Sequence, residues 1–192
     1  MKKLLIAALL LTLTLSGYAQ ATVNFANNSS TVFTTNNGTV GSVSTAAGAY
    51  LVGLYVGPAS STSNQLTLAA APTSFGPSLG RFSSSPTTLT NSFATSAGTI
   101  TVQVRAWSTG GGLYTTYEQA YAAAFSGTAG VVVGASSVVQ YSTGFGTTLP
   151  QTLFGAGNPL TSGVVLTPVP EPATILLGCL GGAALLVARR RK

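Results

Sequence analysis

Residues that commonly carry catalysis are scarce in this chain of 192 residues. It has no histidine, one cysteine (Cys179) and two carboxylates, Glu118 and Glu171. Without histidine, the usual general base and the commonest transition-metal ligand are both missing. Glu118 alone in the middle of the chain cannot form the carboxylate pair of a glycosidase or a carboxylate-rich calcium site. The sequence therefore predicts no catalytic residue, no metal site and no cofactor, and a protein that is not an enzyme.

Two further kinds of site are excluded by what surrounds the candidate residues. The many serines and threonines have no base to activate them, since the three lysines lie near the two ends of the chain. Gly110-Gly111-Gly112 is not a phosphate-binding loop, because no lysine follows it. The net charge of +6 also lies at the ends, and residues 22–168 carry two arginines against one glutamate, a net charge of +1. With no basic patch to neutralise phosphates, no nucleic-acid partner is predicted.

Short apolar runs separated by turn residues indicate a β-rich body. The segment from Thr99 to Trp107 alternates apolar and polar residues, which predicts a strand with one buried face and one solvent-exposed face. Ala49 to Val56 is nearly all apolar and predicts a central strand, while Asn36-Asn37-Gly38 predicts a hairpin turn. The predicted fold class is all-β: a single β-sandwich or jelly-roll-like domain over residues 22–168 with one short helix.

The helix is predicted from Thr116 to Phe125. Thr115 can cap it, with Glu118 three residues on completing a capping box. Tyr117, Tyr121 and Phe125 are spaced by four residues and therefore share one helical face.

Trp107, Tyr114 and Tyr117 admit two interpretations. They could form an aromatic platform for sugar rings, since Trp107 falls on the polar side of its predicted strand. Alternatively, the short helix covers that side and buries Trp107, and this is the preferred interpretation. Arg105 and Glu118, nearly the only charges in the body, are expected to pair.

The first residues have the pattern of a secretory signal peptide. Lys2 and Lys3 form a charged region, an apolar stretch runs from Leu4 to Leu15, and Ala19-Gln20-Ala21 supplies small residues for cleavage. The sequence predicts a signal peptide over residues 1–21 with cleavage after Ala21, and cleavage after Ala19 is the alternative. The body is therefore expected to be exported.

The last residues combine a rigid segment, an apolar segment and a cluster of cations. Prolines flanking Glu171 hold residues 169–172 extended. The uncharged residues 173–188 predict a transmembrane helix of about 24 Å, short of a hydrocarbon core of about 30 Å but tolerable when the flanking charges lie at the two interfaces. The four cations at the end, Arg189, Arg190, Arg191 and Lys192, would stay cytoplasmic and leave the body outside.

This tail resembles a PEP-CTERM sorting signal. The resemblance is carried by Pro170, Glu171 and Pro172, the apolar segment, and the cations Arg189, Arg190 and Arg191 in that order at the C-terminus. It implies an exosortase-type transpeptidase as partner, transient residence in the inner membrane, and a final location at the cell surface or outside the cell. Residues 169–192 are accordingly assigned to the sorting signal, and processing is expected near residues 170–172.

Two functions are consistent with these features. The first is a structural protein of the cell surface or extracellular matrix, associated with exopolysaccharide and needing no binding site. The second is a carbohydrate-binding or adhesive β-sandwich module that uses exposed aromatic side chains.

Overall fold

The computed structural model describes residues 20–36, 40–76, 78–84, 86–89, 98–145 and 148–169. In these residues the protein is mostly β, with one α-helix, α1 (Tyr117–Phe125), and a 3-10 turn at Ser63–Gln65. The strands, in chain order, are β1 (Ala21–Val23), β2 (Thr34–Asn36), β3 (Val40–Ser42), β4 (Tyr50–Pro58), β5 (Thr67–Leu68), β6 (Thr73–Ser74), β7 (Thr87–Thr88), β8 (Thr99–Ser108), β9 (Val133–Ala135), β10 (Val139–Ser142), β11 (Gly144–Phe145) and β12 (Val165–Leu166).

The two long strands form the centre of the largest sheet. β4 and β8 pair antiparallel along their whole length, from Tyr50 opposite Ser108 to Pro58 opposite Ile100. The pairing ends at Pro58 because proline has no N–H to continue a ladder. β9 and β10 lie end to end along the free side of β8, and β5 and β6 lie along the free side of β4. Both central strands were predicted from their sequence patterns, and both predictions are confirmed.

Two smaller sheets complete the body. One has the order β11-β1-β7, and the other has the order β12-β2-β3. The predicted hairpin is confirmed, since β2 and β3 pair antiparallel with Asn36 opposite Val40. β12 joins β2 in parallel, the only parallel pair of named strands in the described residues. The short strands between turns agree with the all-β prediction.

The main hydrophobic core draws residues from all three sheets. It includes Val23 of β1, Leu54 of β4, Val104 of β8 and Leu166 of β12. Tilted and edge-on contacts with ring centroids 4.7 to 5.9 Å apart join a group of phenylalanines in this core. They are Phe25, Phe33, Phe75, Phe82 and Phe154. Such aromatic pairs add to the free energy gained by burying their area.

The prediction that β8 has a solvent-exposed face is wrong. Every residue from Ile100 to Ser108 is buried, including Gln103 and Arg105. The apolar residues of β8 contact the main core, whereas its polar face is covered by α1 and by the 3-10 turn. Alternation along the strand identified the two faces correctly, but elements distant in sequence decide whether a polar face meets water.

Helix α1 begins one residue later than predicted. Its N-cap is Thr116, whose hydroxyl accepts a hydrogen bond from the backbone N–H of Gln119, and the side chain of Gln119 closes the capping box. The predicted Thr115–Glu118 box is therefore replaced by Thr116–Gln119. The consequence is that Glu118 is not used at the helix end and is free to reach across to the sheet.

Candidate functional site

The most organised polar cluster lies between α1 and the polar face of β8. Its centre is Arg105, whose guanidinium group uses all three nitrogens as donors. Nε donates to Gln103 Oε1 (3.0 Å), one terminal nitrogen to Glu118 Oε1 (3.1 Å), and the other to the carbonyl oxygen of Ser63 (2.6 Å). The predicted pairing of Arg105 with Glu118 is confirmed.

Two tyrosine rings close the cluster. The guanidinium carbon of Arg105 lies 4.1 Å from the ring centre of Tyr55 and 5.3 Å from that of Tyr117. The hydroxyl of Tyr55 donates to the second oxygen of Glu118, at 3.2 Å. Burial is the main cause that raises the pKa of Tyr55 above its ordinary value, and the nearby Glu118 carboxylate raises it further. Burial likewise raises the pKa of Tyr117.

The cluster holds protein elements together and leaves little for a ligand. Strand β4 supplies Tyr55, the 3-10 turn supplies Ser63, and α1 supplies Glu118 and Tyr117. A tyrosine hydroxyl is protonated near neutral pH at its ordinary pKa of about 10, and burial raises the pKa of both Tyr55 and Tyr117 further. The arrangement thus fastens α1 to the sheet.

Trp107 is fully buried beneath α1. Its exposure is 0%, and its indole N–H donates to the carbonyl oxygen of Tyr114 at 3.2 Å. Ala120 and Ala124 of the helix pack over it, and Tyr117 meets it edge-on with ring centres 6.3 Å apart. Trp107, Tyr114 and Tyr117 therefore lie together, but the face of Trp107 cannot stack on a sugar in this structure. The interpretation in which the helix buries Trp107 agrees with this geometry.

The exposed aromatic side chains lie on another face of α1. Tyr121 is 44% exposed and Phe125 is 49% exposed. Tyr117, Tyr121 and Phe125 follow one another with centroid spacings of 6.0 and 6.4 Å and planes within 29° and 16° of parallel. The helix turns its two alanines toward the sheet because Trp107 already fills that space, and the larger rings remain at the flank. The spacing of four predicted their common face but could not predict which way that face points.

The concave surfaces are shallow and carry few groups that could do chemistry. A groove of about 520 Å³ is lined by Tyr50, Ser108 and glycine-rich turns, including Gly110, Gly111 and Gly112. These three glycines have positive φ, so the glycine run serves a tight turn after β8. Within the described ranges, no three His, Cys, Asp or Glu side chains come together as metal ligands do.

The C-terminal end of the described chain is fixed to the body. After β12, the N–H and C=O of Thr167 both bond to Val133 (2.9 and 3.1 Å). Val169 packs against the small core formed by Trp107, Ala120 and their neighbours. The chain is thus held by the domain up to the residue that precedes Pro170.

A comparison with protein-family models identifies the C-terminal segment of the chain. Residues 168–192 match the model described as the PEP-CTERM protein-sorting motif. The chain carries a PEP-CTERM sorting motif. The PEP-CTERM resemblance that was predicted from Pro170, Glu171, Pro172 and the terminal arginines is confirmed by this match. The PEP-CTERM motif implies processing by an exosortase, and with it export and passage through a membrane.

The other comparisons add nothing to the PEP-CTERM assignment. No curated protein and no solved structure matches the chain. The PEP-CTERM residues Pro170, Glu171, Pro172, Arg189, Arg190 and Arg191, and the helix predicted over residues 173–188, lie outside the described residues. In the part of the chain that the structure describes, no helix is both long and apolar enough to cross a membrane.

The two candidate residues for signal cleavage in this PEP-CTERM protein differ in what the structure says of them. Ala19 lies outside the described residues. Ala21 is the first residue of β1, is fully buried, and pairs with Phe145 of β11. Its carbonyl oxygen accepts a hydrogen bond from the N–H of Leu89 at 2.9 Å. Cleavage after Ala19 leaves this strand intact, whereas cleavage after Ala21 removes its first residue.

Proposed function

We propose that this chain is an exported structural protein of the cell surface or extracellular matrix, associated with exopolysaccharide. The observation that carries the proposal is the PEP-CTERM sorting motif at residues 168–192, which implies export and exosortase processing. A nearly uncharged body, rich in serine and threonine, suits a hydrated polymer environment. In this proposal the sorting signal directs the protein to the cell surface or matrix, and the body serves there as a stable folded domain.

The proposal includes the absence of catalysis. The one organised cluster of charged and polar side chains in the described residues uses its donors internally, and its tyrosines remain protonated near neutral pH. The remaining grooves offer mostly backbone and small side chains. These features support a role that depends on surface and shape.

The proposal also includes the finer architecture. We infer a β-sandwich over residues 22–168, because the main core lies against one face of the largest sheet and takes residues from both smaller sheets. A signal peptide within residues 1–21 and a transmembrane helix over residues 173–188 complete it. Because Ala21 belongs to a buried strand, we expect signal cleavage after Ala19.

Intact-mass spectrometry of the protein recovered from the surface and medium of its own cells tests both ends together. We expect a chain that begins at Gln20, ends near residues 170–172, and carries any glycans as added mass. A mass that still includes residues 173–192 would contradict exosortase processing. Wild-type protein found only in the medium and attached to no cell material would contradict the structural function.

A second function, carbohydrate binding, is favoured by the exposed rings of α1. Tyr121 and Phe125 are half exposed, and Glu118 beside them has a side chain that is 60% exposed. Stacking rings next to a hydrogen-bond acceptor is an arrangement that suits a sugar. If this function holds, Tyr121→Ala should weaken binding of the protein to exopolysaccharide from its own cells, while the matched change Ser126→Ala, also exposed on the same segment, should not. Equal binding by both variants would rule it out.

A further inference from the structure

Among the described residues, the longest open edge strand of the largest sheet is β10. On that side of β8, β9 is covered because Val133 bonds Thr167 through both backbone groups. β10 is the terminal strand of the sheet order, and no described strand pairs with its outer side. The opposite edge consists of β5 and β6, which are two residues each. Edge strands of two residues offer few backbone groups for pairing with another chain, so the four-residue β10 is the better candidate for such pairing.

The alternation of hydrogen bonds between β10 and β8 shows which backbone groups of β10 point away from the sheet. Val139 lies opposite Val102, Tyr141 opposite Ile100, and the N–H of Thr143 bonds the carbonyl of Gly98 (3.1 Å). In an antiparallel ladder, alternate residues exchange bonds with the neighbour. The backbone N–H and C=O of Val139 and Tyr141 therefore point toward β8, whereas those of Gln140 and Ser142 point away from it. No described residue bonds either of those two backbones.

The open edge lacks the devices that usually prevent edge-to-edge pairing. The sequence has no charged residue between Glu118 and Glu171, and no proline between Pro86 and Pro150. Gln140 and Ser142 are exposed and uncharged, and Val138 beside them is 38% exposed. Natural sheets commonly protect such an edge with lysine, proline or a bulge. Two identical edges that meet across a two-fold axis place identical groups opposite each other, so the absence of charge removes repulsion between copies.

We propose that β10 is a self-association surface whose partner is β10 of a second copy of this chain. An antiparallel register that places Gln140 opposite Ser142 of the second copy, and the reverse, pairs the outward backbone groups on both sides. Tyr141 then lies at the two-fold axis, held in place because its hydroxyl accepts from Asn24 N–H (3.2 Å) and donates to the carbonyl of Gln151. A four-residue edge buries far less than the roughly 1,200 Å² of a stable interface, so the pairing is weak and depends on crowding of copies. This inference rests on the proposed structural function and names its partner.

Two substitutions at one position test the edge. Ser142→Pro removes the outward N–H but leaves the bonds to β8, whereas Ser142→Ala removes the same side-chain hydroxyl and keeps the N–H. Amide exchange is measured residue by residue on the full-length chain in detergent micelles over a range of protein concentrations. In the wild type and in Ser142→Ala, we expect the amides of Gln140 and residue 142 to exchange more slowly as concentration rises. In Ser142→Pro, the concentration needed to slow Gln140 should rise at least about tenfold. Equal melting temperature and Trp107 emission in both variants show that the fold is kept.

Three results would overturn the proposal. One is exchange at Gln140 and Ser142 that is fast at every concentration. Another is exchange that is slow even at the lowest concentration, which would mean that another part of the same chain covers the edge. The third is identical behaviour of Ser142→Pro and Ser142→Ala. Retention at the cell surface is scored separately in the wild type, so that loss of edge pairing with normal retention removes this inference and leaves the proposed function standing.

Discussion

Replacing Arg105 by methionine should weaken the body and loosen helix α1. The change removes charged hydrogen bonds to the Ser63 carbonyl and to Gln103, and removes the cation placed over the Tyr55 ring. Charged hydrogen bonds contribute about 1.5–3 kcal/mol each and a buried cation–π contact about 1–2 kcal/mol. Methionine recovers part of this by packing. We therefore expect the free energy of unfolding to fall by about 3–5 kcal/mol, because the Ser63 carbonyl and Gln103 lose a charged donor and the Tyr55 ring loses its cation. That loss is large beside the unfolding free energy of a typical domain, about 5–15 kcal/mol.

Trp107 makes the assay direct, because it is the only tryptophan of the chain and lies under α1. Urea unfolding of the full-length chain in a mild detergent, followed by Trp107 emission, gives the free energy of each variant. Native Arg105→Met protein should also emit at longer wavelength than the wild type, since a loosened helix admits water to the indole.

The matched control is Glu118→Gln. It keeps the shape of the side chain and an oxygen that can accept from Tyr55, and the Glu118 side chain is 60% exposed. Pairs with such exposure contribute little, so we expect a loss below about 1 kcal/mol. The reasoning is refuted if Arg105→Met loses less than about 1 kcal/mol, or if Glu118→Gln loses as much as Arg105→Met.

Three further predictions concern stability. Asn27→Ala should lower the free energy of unfolding by about 2–4 kcal/mol, because the buried amide donates to the carbonyls of Thr31 and Gly80 and accepts from Phe82 N–H. Urea unfolding measures the loss, and a loss under about 0.5 kcal/mol would contradict the prediction. Gly163→Ala should lower the melting temperature more than Gly41→Ala, because an added Cβ would clash with the carbonyl oxygen of Val32 in the first case and would meet nothing within 4 Å in the second. Equal melting temperatures would show that the backbone at Gly163 can move to make room. The free energy of unfolding should fall as pH rises past about 10, the ordinary pKa of tyrosine. Burial raises the pKa of Tyr55 and Tyr141 in the folded state, so the folded protein holds these two protons more tightly than the unfolded chain does. This contribution to stability is complete below the ordinary pKa and is lost as pH rises above it. Unfolding measured from about pH 8 to pH 11 tests this, and Tyr55→Phe should flatten the fall; a curve that is unchanged in that variant would exclude Tyr55 as a source.

The long strands could be predicted from sequence because their signals are local. The apolar run ending at Gly57-Pro58 and the alternation from Thr99 to Trp107 each specify a strand without reference to the rest of the chain. The hairpin at residues 36–40 depends on turn chemistry that is equally local. The two-residue strands have no such signal, and tertiary pairing alone defines their ends.

The covered polar face of β8 could not be predicted in the same way. Its cover comes from Ser63, some 40 residues before Gln103 and Arg105, and from α1, which comes after them in the chain. One clue was present in the sequence, since Arg105 and Glu118 are almost the only charges of the body and were expected to pair. The position of the cap at Thr116 depended on a choice between two adjacent threonines, each followed three residues on by a suitable Glu or Gln.

Asn27 shows a further limit. Its place in an Asn-rich turn predicts only the end of a strand. In the structure its buried amide bonds the nearby Thr31 carbonyl and also the backbones of Gly80 and Phe82, more than 50 residues away. A single polar residue of this kind gives no pattern along the chain, because each of its partners is a backbone group that any residue could supply.

The packing of Val169 against the small core limits the length of chain between the body and the predicted membrane segment. Between Val169 and the apolar segment predicted from Ala173 there are four Cα steps, which reach at most about 14 Å. If residues 173–188 span the membrane as predicted, a folded body would lie close to the bilayer, and the exosortase would have only this narrow gap in which to reach residues 170–172. Folding and sorting then compete in time. If an exosortase cuts near residues 170–172, a chain that reaches it before β12 docks would offer a longer accessible segment than a chain that has already folded.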